Sequence, residues 1–384
     1  MFHISTEEQI KANDTTDIYF ERTLQILQSK GINAKVKMEI FLKKFPNNYE
    51  WGIFAGLDEV LELFKGSDVN IYSIKEGTVF YSGEPVMIIE GVYTDFAPKE
   101  TAMLGFICQA SGIATKAARV KQIVPDKTVL HFGARRMHPA ITPMIERSAY
   151  IGGLDGVATK AGAKAAGISP SGTIPHALIL MLGDTVKALE SYDEIIDETV
   201  PRIALIDTFN DEKFEAVQVA EALNKKLFGV RLDTPSSRRG SLKAIVEEVR
   251  WELDTRNFNH VKIVVSGGLD EEDIQELKEV VDSFGVGTSI SSGNTIDFSA
   301  DIVEIDGNNI AKRGKMSGAK KTWVCNNCSN RIVTLDNEYE IICEKCGMSM
   351  NNILKKVMEK GVLTEEYPTP AEIRNFVLEQ LNIK

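Results

Sequence analysis

The sequence predicts an α/β protein: an irregular α/β barrel of about seven strands, preceded by an α+β domain and followed by a small zinc-binding region. Three observations carry that expectation. Residues 128–290 repeat a strand-then-helix texture, nearly every candidate strand there ends in a glycine-rich or charged signature, and two CxxC pairs crowd into one short segment near the C-terminus. Regular alternation of strand and helix specifies a parallel sheet, and site-like residues at many strand ends favour a barrel, whose strand ends converge on one mouth. At 384 residues the chain exceeds a usual single core. The expected divisions are an α+β domain over residues 1–115, a catalytic barrel over 116–305 and a C-terminal region over 306–384, with the cysteine knuckle at about 322–350.

The N-terminal region opens with an amphipathic stretch, DTTDIYFERTLQILQS, that Asp14 or Thr15 can cap as a helix. Short strands, one helix and glycine-containing turns follow to about residue 98, the texture of an α+β domain. An apolar helix, PKETAMLGFICQASGIATKAARVKQIV, leads into the barrel. Its candidate strands are residues 129–134, 154–159, 168–173, 203–209, 228–234, 261–268 and 283–290. Helical segments such as PMIERSAYIG, IPHALILMLGDTVKALESY, DEKFEAVQVAEALNKKL and DEEDIQELKEVVDS separate them. After residue 300 come a strand, a basic turn (AKRGKMSGAKK), the cysteine segment and a closing helix.

The net charge of -11, with an isoelectric point near 5.2, argues against wrapping nucleic acid over a broad basic face, so any basic cluster must be local. No window approaches the ~18 to 20 uninterrupted apolar residues of a membrane-spanning helix, and the N-terminus lacks a signal pattern. A cytoplasmic protein is expected. Cys325, Cys328, Cys343 and Cys346 form CNNC, fourteen intervening residues, then CEKC. Two such hooks can hold four thiolates tetrahedrally around a structural zinc, the alternative being reactive redox cysteines. Cys108 sits in an apolar helix and reads as core.

The stretch HFGARRMHP sets Arg135 and Arg136 side by side at a strand end. Adjacent guanidiniums repel and cannot deprotonate, so the pair asks for an anion. In VSGGLDEED, the backbone N–H groups of Ser266, Gly267 and Gly268 can hold a phosphate, and GVGTS offers a second set at Gly285, Gly287, Thr288 and Ser289. Both turns also serve as tight strand-to-helix geometry with no ligand. RLDTPSSRRG places Arg231 and Asp233 on one strand face, with Ser236, Ser237, Arg238 and Arg239 beyond. The pair suits a ligand bearing hydroxyls and phosphates or a magnesium ion, or else a structural ion pair. His176 follows the SGT signature that contains Thr173 and can serve as acid, base or nucleophile, or as a satisfied core histidine.

Together HFGARRMHP, AYIGGLDGVATKAGAKAAGISPSGTIPHA, ALIDTFND, GVRLDT, VSGGLD and FGVGTS, with the N-terminal TTDIYF, resemble the nicotinate phosphoribosyltransferase family over residues 14–320. The cysteine insertion is most similar to the archaeal-type branch. The resemblance implies the irregular barrel of the type II phosphoribosyltransferases and a reaction that joins nicotinate to 5-phosphoribosyl 1-pyrophosphate, giving nicotinate mononucleotide and pyrophosphate in NAD salvage, with ATP as co-substrate and magnesium as cofactor. It further implies that Phe132 stacks on the pyridine ring and that Tyr19 of a neighbouring subunit covers the other face, which requires a homo-oligomer. Arg135 and Arg136 would meet the donor and the nicotinate carboxylate, and Asp233, with Arg231 beside it, would hold ribose hydroxyls or magnesium. Asp207 or Asp233 would stabilise an oxocarbenium-like sugar, the two glycine turns would carry the 5-phosphate, and His176 would be phosphorylated by ATP. His131 and His138 are expected to orient neighbours. The alternatives are quinolinate phosphoribosyltransferase on the same fold and a zinc-ribbon nucleic-acid-binding protein, which the acidic charge disfavours.

Overall fold

A computed structural model describes residues 2–235, 237 and 240–383. The expectations placed on Ser236, Arg238 and Arg239 lie outside the described residues. Two compact units emerge: Met1–Thr115 with Asn294–Gln380, and Lys116–Gly293 with the last four residues.

In the second unit a parallel sheet of six strands runs in the order Gly156–Val157, Thr128–His131, Ser283–Val286, Lys262–Ser266, Leu227–Leu232, Arg202–Leu205. Numbered along the chain, that order is 2-1-6-5-4-3, the order of a barrel opened between its second and third strands. Strands such as LFGVRL and KIVVS are buried along most of their length, as parallel strands covered on both faces must be. Helix starts are fixed by side chains: Thr159 accepts from the Gly162 N–H, Asp211 from Lys213 and Ser241 from Ala244. Asp270 and Asp273 form a reciprocal capping box.

The sequence reading counted seven strands here, and the sheet has six among the described residues. Residues 168–173 form no strand, although the Ser171 N–H donates to the Val157 carbonyl at 2.7 Å, so the segment begins to run beside the second strand. With no strand there, the sheet stays open between Gly156–Val157 and Arg202–Leu205.

The first unit is built on a seven-stranded antiparallel sheet. Its central members, Lys35–Leu42 and Pro85–Val92, pair with Phe298–Ile305 and Val69–Ser73, and Lys355–Glu359 joins beyond. The chain after Asn294 therefore supplies strands to the N-terminal sheet, so the expected cuts at 305 and 306 fall within a continuous unit. Met38, Ile40, Leu42, Ile71 and Ile89 pack with Leu57, Val60, Leu61 and Phe64 of the helix Leu57–Phe64 in one core. Burial pushes the Cys108 thiol up to about 11, in keeping with an inert core residue. No helix among the described residues is long and apolar enough to cross a membrane.

One buried ion pair ties the cysteine segment to this sheet. Glu39 Oε1 meets Lys320 Nζ at 2.9 Å and Oε2 accepts from the Lys320 N–H at 3.0 Å, with both residues buried. The ammonium also donates to the Gly318 carbonyl at 2.9 Å. Removing one partner of such a pair strands the other charge, whereas replacing both by apolar groups is often neutral. Glu39→Ala is therefore expected to cost about 3 kcal/mol in denaturant unfolding, and Glu39→Leu combined with Lys320→Met to recover most of it.

Candidate functional site

The C-terminal ends of five strands of the parallel sheet carry the residues that the sequence singled out. At the end of Thr128–His131, Phe132 donates its N–H to the Val286 carbonyl at 2.8 Å and remains partly exposed. One side of its ring lies against Gly285, where a Cβ would come within 2.4 Å of Cδ2 and Cε2. The glycine of FGVG is thus required by the close approach of an aromatic ring. A tight turn, Ala134–Arg136, then lifts Arg135 and Arg136 to the surface, and neither guanidinium has a carboxylate partner among the described residues.

Arg231 is only 8% exposed. Its Nη1 donates to Ser266 Oγ at 2.9 Å and lies 3.4 Å from Asp233 Oδ2, and its Nη2 donates to the Ile174 carbonyl at 3.1 Å. Nε is buried and has no hydrogen-bond partner among the described residues. Burial pulls the guanidinium below its ordinary value while Asp233 and Asp207 support its charge. Asp233 accepts from Ser266 Oγ at 3.1 Å, and its N–H donates to Asp207 Oδ2 at 3.2 Å. The other oxygen of Asp207, Oδ1, stands 2.9 Å from His176 Nε2. Burial pushes the Asp207 carboxyl up, and the pairing with His176 opposes that rise. His176 opens the helix His176–Leu182 and its side chain is 40% exposed.

The two glycine-rich turns complete the rim. Gly267 and Gly268 both adopt positive φ, at 96° and 74°, and a Cβ on Gly267 would stand 2.7 Å from Asp233 Oδ1. Geometry alone therefore demands these two glycines, and their N–H groups stay available for an anion. Gly287 precedes the short helix Thr288–Ser291, and Thr288 is exposed. Thr173 lies in the irregular segment before His176. Tyr19, in the other unit on the helix Ile18–Ser29, is 54% exposed, its ring centroid 4.4 Å from that of Phe20 with the planes tilted by 43°.

Two residues, Glu146 and Glu215, escaped the sequence reading, and a third, Ser266, engages through a different group. Ser266 was expected to act through its N–H, yet its hydroxyl is the link between Arg231 and Asp233. Glu146, inside the apolar helix Thr142–Ile151, is fully buried and gathers His131, Ala158 and Thr159. Its signal was a lone acid on a helix face otherwise built of Ile145, Ala149 and Tyr150. Glu215 accepts from the N–H groups of Phe209 and Asn210 and so shapes the loop after Asp207.

In the first unit, Cys325, Cys328, Cys343 and Cys346 bring all four Sγ atoms within 4.8 Å of one another. Each CxxC is folded as a knuckle: the Ser329 N–H donates to the Cys325 carbonyl and the Gly347 N–H to that of Cys343, both at 2.8 Å. Ser329 and Gly347 take positive φ, 55° and 72°. Four thiols at this separation could hold a tetrahedral zinc, which needs sulfurs about 3.8 Å apart for a Zn–S bond of about 2.3 Å. With four protein ligands the site is closed to substrate.

Comparison with known proteins follows the same division. The family model for the quinolinate phosphoribosyl transferase C-terminal domain matches residues 113–301, and that for the N-terminal domain matches residues 17–111. The crystal structure of nicotinate-nucleotide pyrophosphorylase from Pyrococcus furiosus superposes with a TM-score of 0.97 and 52% identity, covering 100% of this chain and 99% of that one. Nicotinate phosphoribosyltransferase of Bacillus subtilis is 30% identical over 311 residues, 72% of this chain, and the chain spans 62% of that relative's length. Human nicotinic acid phosphoribosyltransferase shares the fold, with a TM-score of 0.78 at 19% identity over 96% of this chain and 93% of that one.

Two measurements check these geometries. Metal analysis is expected to return about one zinc per chain, and Cys343→Ser to lose it. Gly285→Ala is expected to displace the Phe132 ring and to lower stability by about 1–3 kcal/mol, as overpacking does.

Proposed function

The chain belongs to the family of nicotinate and quinolinate phosphoribosyltransferases, and on that footing we propose that it joins nicotinate to 5-phosphoribosyl 1-pyrophosphate, releasing pyrophosphate and nicotinate mononucleotide for NAD salvage. The observation that supports this reading is the pair Arg135 and Arg136, without a carboxylate partner among the described residues, beside a partly exposed aromatic ring at the same strand-end side of the sheet as two carboxylates and two glycine turns. An aromatic acid needs a flat apolar surface and a cation for its carboxylate. Phe132 offers the first and the arginine pair the second, while the same pair can neutralise a departing pyrophosphate.

In the reaction the pyridine nitrogen attacks C1 of the ribose as the C1–O bond to pyrophosphate breaks, so positive charge develops on the sugar. Asp233, held by Ser266, and Asp207, linked to it, would stabilise that charge. Asp233 and Asp207 would hold a magnesium ion, which would supply charge neutralisation for the leaving group. The turns at Gly267–Gly268 and Gly285–Thr288 would bind the 5-phosphate through backbone N–H groups. Tyr19 would reach the pyridine ring of a neighbouring subunit in a homo-oligomer.

ATP coupling runs through His176 in this reading. With Asp207 accepting a proton held on Nε2, the lone pair falls on Nδ1. That nitrogen would take the phosphoryl group. The quinolinate alternative draws on the names of the two matched domain models and requires cationic groups for a second carboxylate beyond the arginine pair.

A product assay with nicotinate, nicotinamide and quinolinate, each with and without ATP, tests the reading. Only nicotinate is expected to be turned over, and release of carbon dioxide from quinolinate would overturn the assignment. His176→Ala should keep basal turnover and lose ATP stimulation. Arg136→Ala should raise the KM for nicotinate about 10-fold, the ~1.4 kcal/mol of one charge-assisted contact.

A further inference from the structure

Directly before Phe132 stands a histidine that the proposed reaction does not use. The His131 imidazole is fully buried, with Nε2 2.8 Å from Ser291 Oγ and Nδ1 3.4 Å from Glu146 Oε1. Hydroxyl, imidazole and carboxylate in this order would activate a nucleophile in an open cleft. Here no electrophile can reach the hydroxyl: Ser291 is 3% exposed, and a Cβ on Gly133 would lie 1.8 Å from its Oγ. The constellation must therefore act on the fold.

What it fixes can be read from its partners. Glu146 projects from the helix Thr142–Ile151 and accepts from the Ala158 N–H at 2.9 Å, the Thr159 N–H at 3.2 Å and Thr159 Oγ1 at 2.5 Å. Those groups follow the strand Gly156–Val157, whereas Ser291 ends the short helix after Ser283–Val286. A single imidazole thus connects the turns beyond three neighbouring strands. Packing around it is tight enough to require glycine twice: a Cβ on Gly162 would stand 1.8 Å from Glu146 Oε2, as one on Gly133 would from Ser291. Burial alone would raise the Glu146 carboxyl, but the hydrogen bonds from His131, Thr159 and Ala158 hold it below its ordinary value, as a working anion requires.

We propose that Glu146 and Ser291, acting through His131, are positioning residues that set the Phe132 face and the Gly133 turn leading to Arg135, and thereby the site's affinity for its aromatic acid. The substrate named here rests on the nicotinate reading, while the positioning role does not.

The test uses the full chain with Glu146→Gln and Ser291→Ala. A glutamine keeps the shape but offers one oxygen where four donors converge. Each variant is checked by circular dichroism, by the ring resonances of Phe132 in phenylalanine-labelled protein, and by KM and kcat. The expected result is a shifted Phe132 ring, a KM for nicotinate raised about 10-fold, and a KM for the sugar donor changed less than about twofold. Unmoved Phe132 resonances in folded variants overturn the proposal, and so does a uniform loss of kcat with both KM values unchanged. If Glu146→Gln does not fold, Ser291→Ala carries the same readouts. Should the wild-type chain fail to turn over nicotinate, the functional reading falls and the Phe132 resonances alone decide the positioning role.

Discussion

Burying a guanidinium that cannot be neutralised obliges a fold to bring acceptors to it, and Arg231 imposes that constraint on the parallel-sheet unit. Its acceptors come from three places: the Ile174 carbonyl, the Ser266 hydroxyl and the Asp233 carboxylate. A parallel sheet, with all strand C-termini on one side, brings residues from distant stretches of chain such as Asp233 and Ser266 to one point. Asp233 in turn holds Asp207 through its N–H, and Asp207 holds His176. One line of contacts from Arg231 to His176 therefore fixes the acid groups of the site before any substrate arrives. The Arg231 Nε, without a partner among the described residues, leaves this network one acceptor short.

Much of this was legible in the sequence because the relevant signals are local. Arg231 and Asp233 share a strand face by the period of two, glycine pairs after apolar runs mark strand-end turns, and CxxC spacing specifies a knuckle. What the sequence concealed is long-range. A lone acid on the apolar face of PMIERSAYIG hints that Glu146 is buried, but nothing local names its partners at residues 158 and 159, and a glutamate on a helix is usually solvated. The missing strand at residues 168–173 is the converse case. One hydrogen bond of strand type does form, from the Ser171 N–H to the Val157 carbonyl, but the segment ISPSGT carries only one apolar side chain to hold it in the sheet. Chain connectivity hid the return of residues after Asn294 to the first sheet, because strand pairing partners are set by register and not by proximity in sequence.

The cysteine segment illustrates how a small element gains a fixed place. Its own core is slight, formed by Trp323, Cys325, Cys343 and Met350 with a few neighbours. So few apolar groups stabilise little by themselves, which is why segments of this size commonly rely on a metal. Here two further anchors act in the same unit. Glu39 grips Lys320 at the base of the strand Lys320–Val324, and Arg331 forms a paired contact with Glu84, Nε to Oε1 at 2.6 Å and Nη2 to Oε2 at 2.8 Å. A bidentate arginine contact fixes orientation as well as distance. The knuckle is thus held from two sides, which suits a structural element better than a mobile one.

Net charge gives the last step. A chain at -11 repels polyanions at long range, so binding the phosphorylated donor proposed above would need positive potential gathered in one place. Many cations of the parallel-sheet unit are spent internally: Lys116 and Arg119 on Glu271, Lys121 on Asp155, Arg202 and Lys226 on Asp193, Lys213 on Glu248. Arg135 and Arg136 are not, and they stand exposed next to the partly exposed Phe132. Pairing the other cations lowers the positive background elsewhere, so that the proposed anion would meet its most favourable charge at this strand end. Two adjacent guanidiniums without a carboxylate partner among the described residues therefore place positive charge at this strand end in a chain whose net charge is -11.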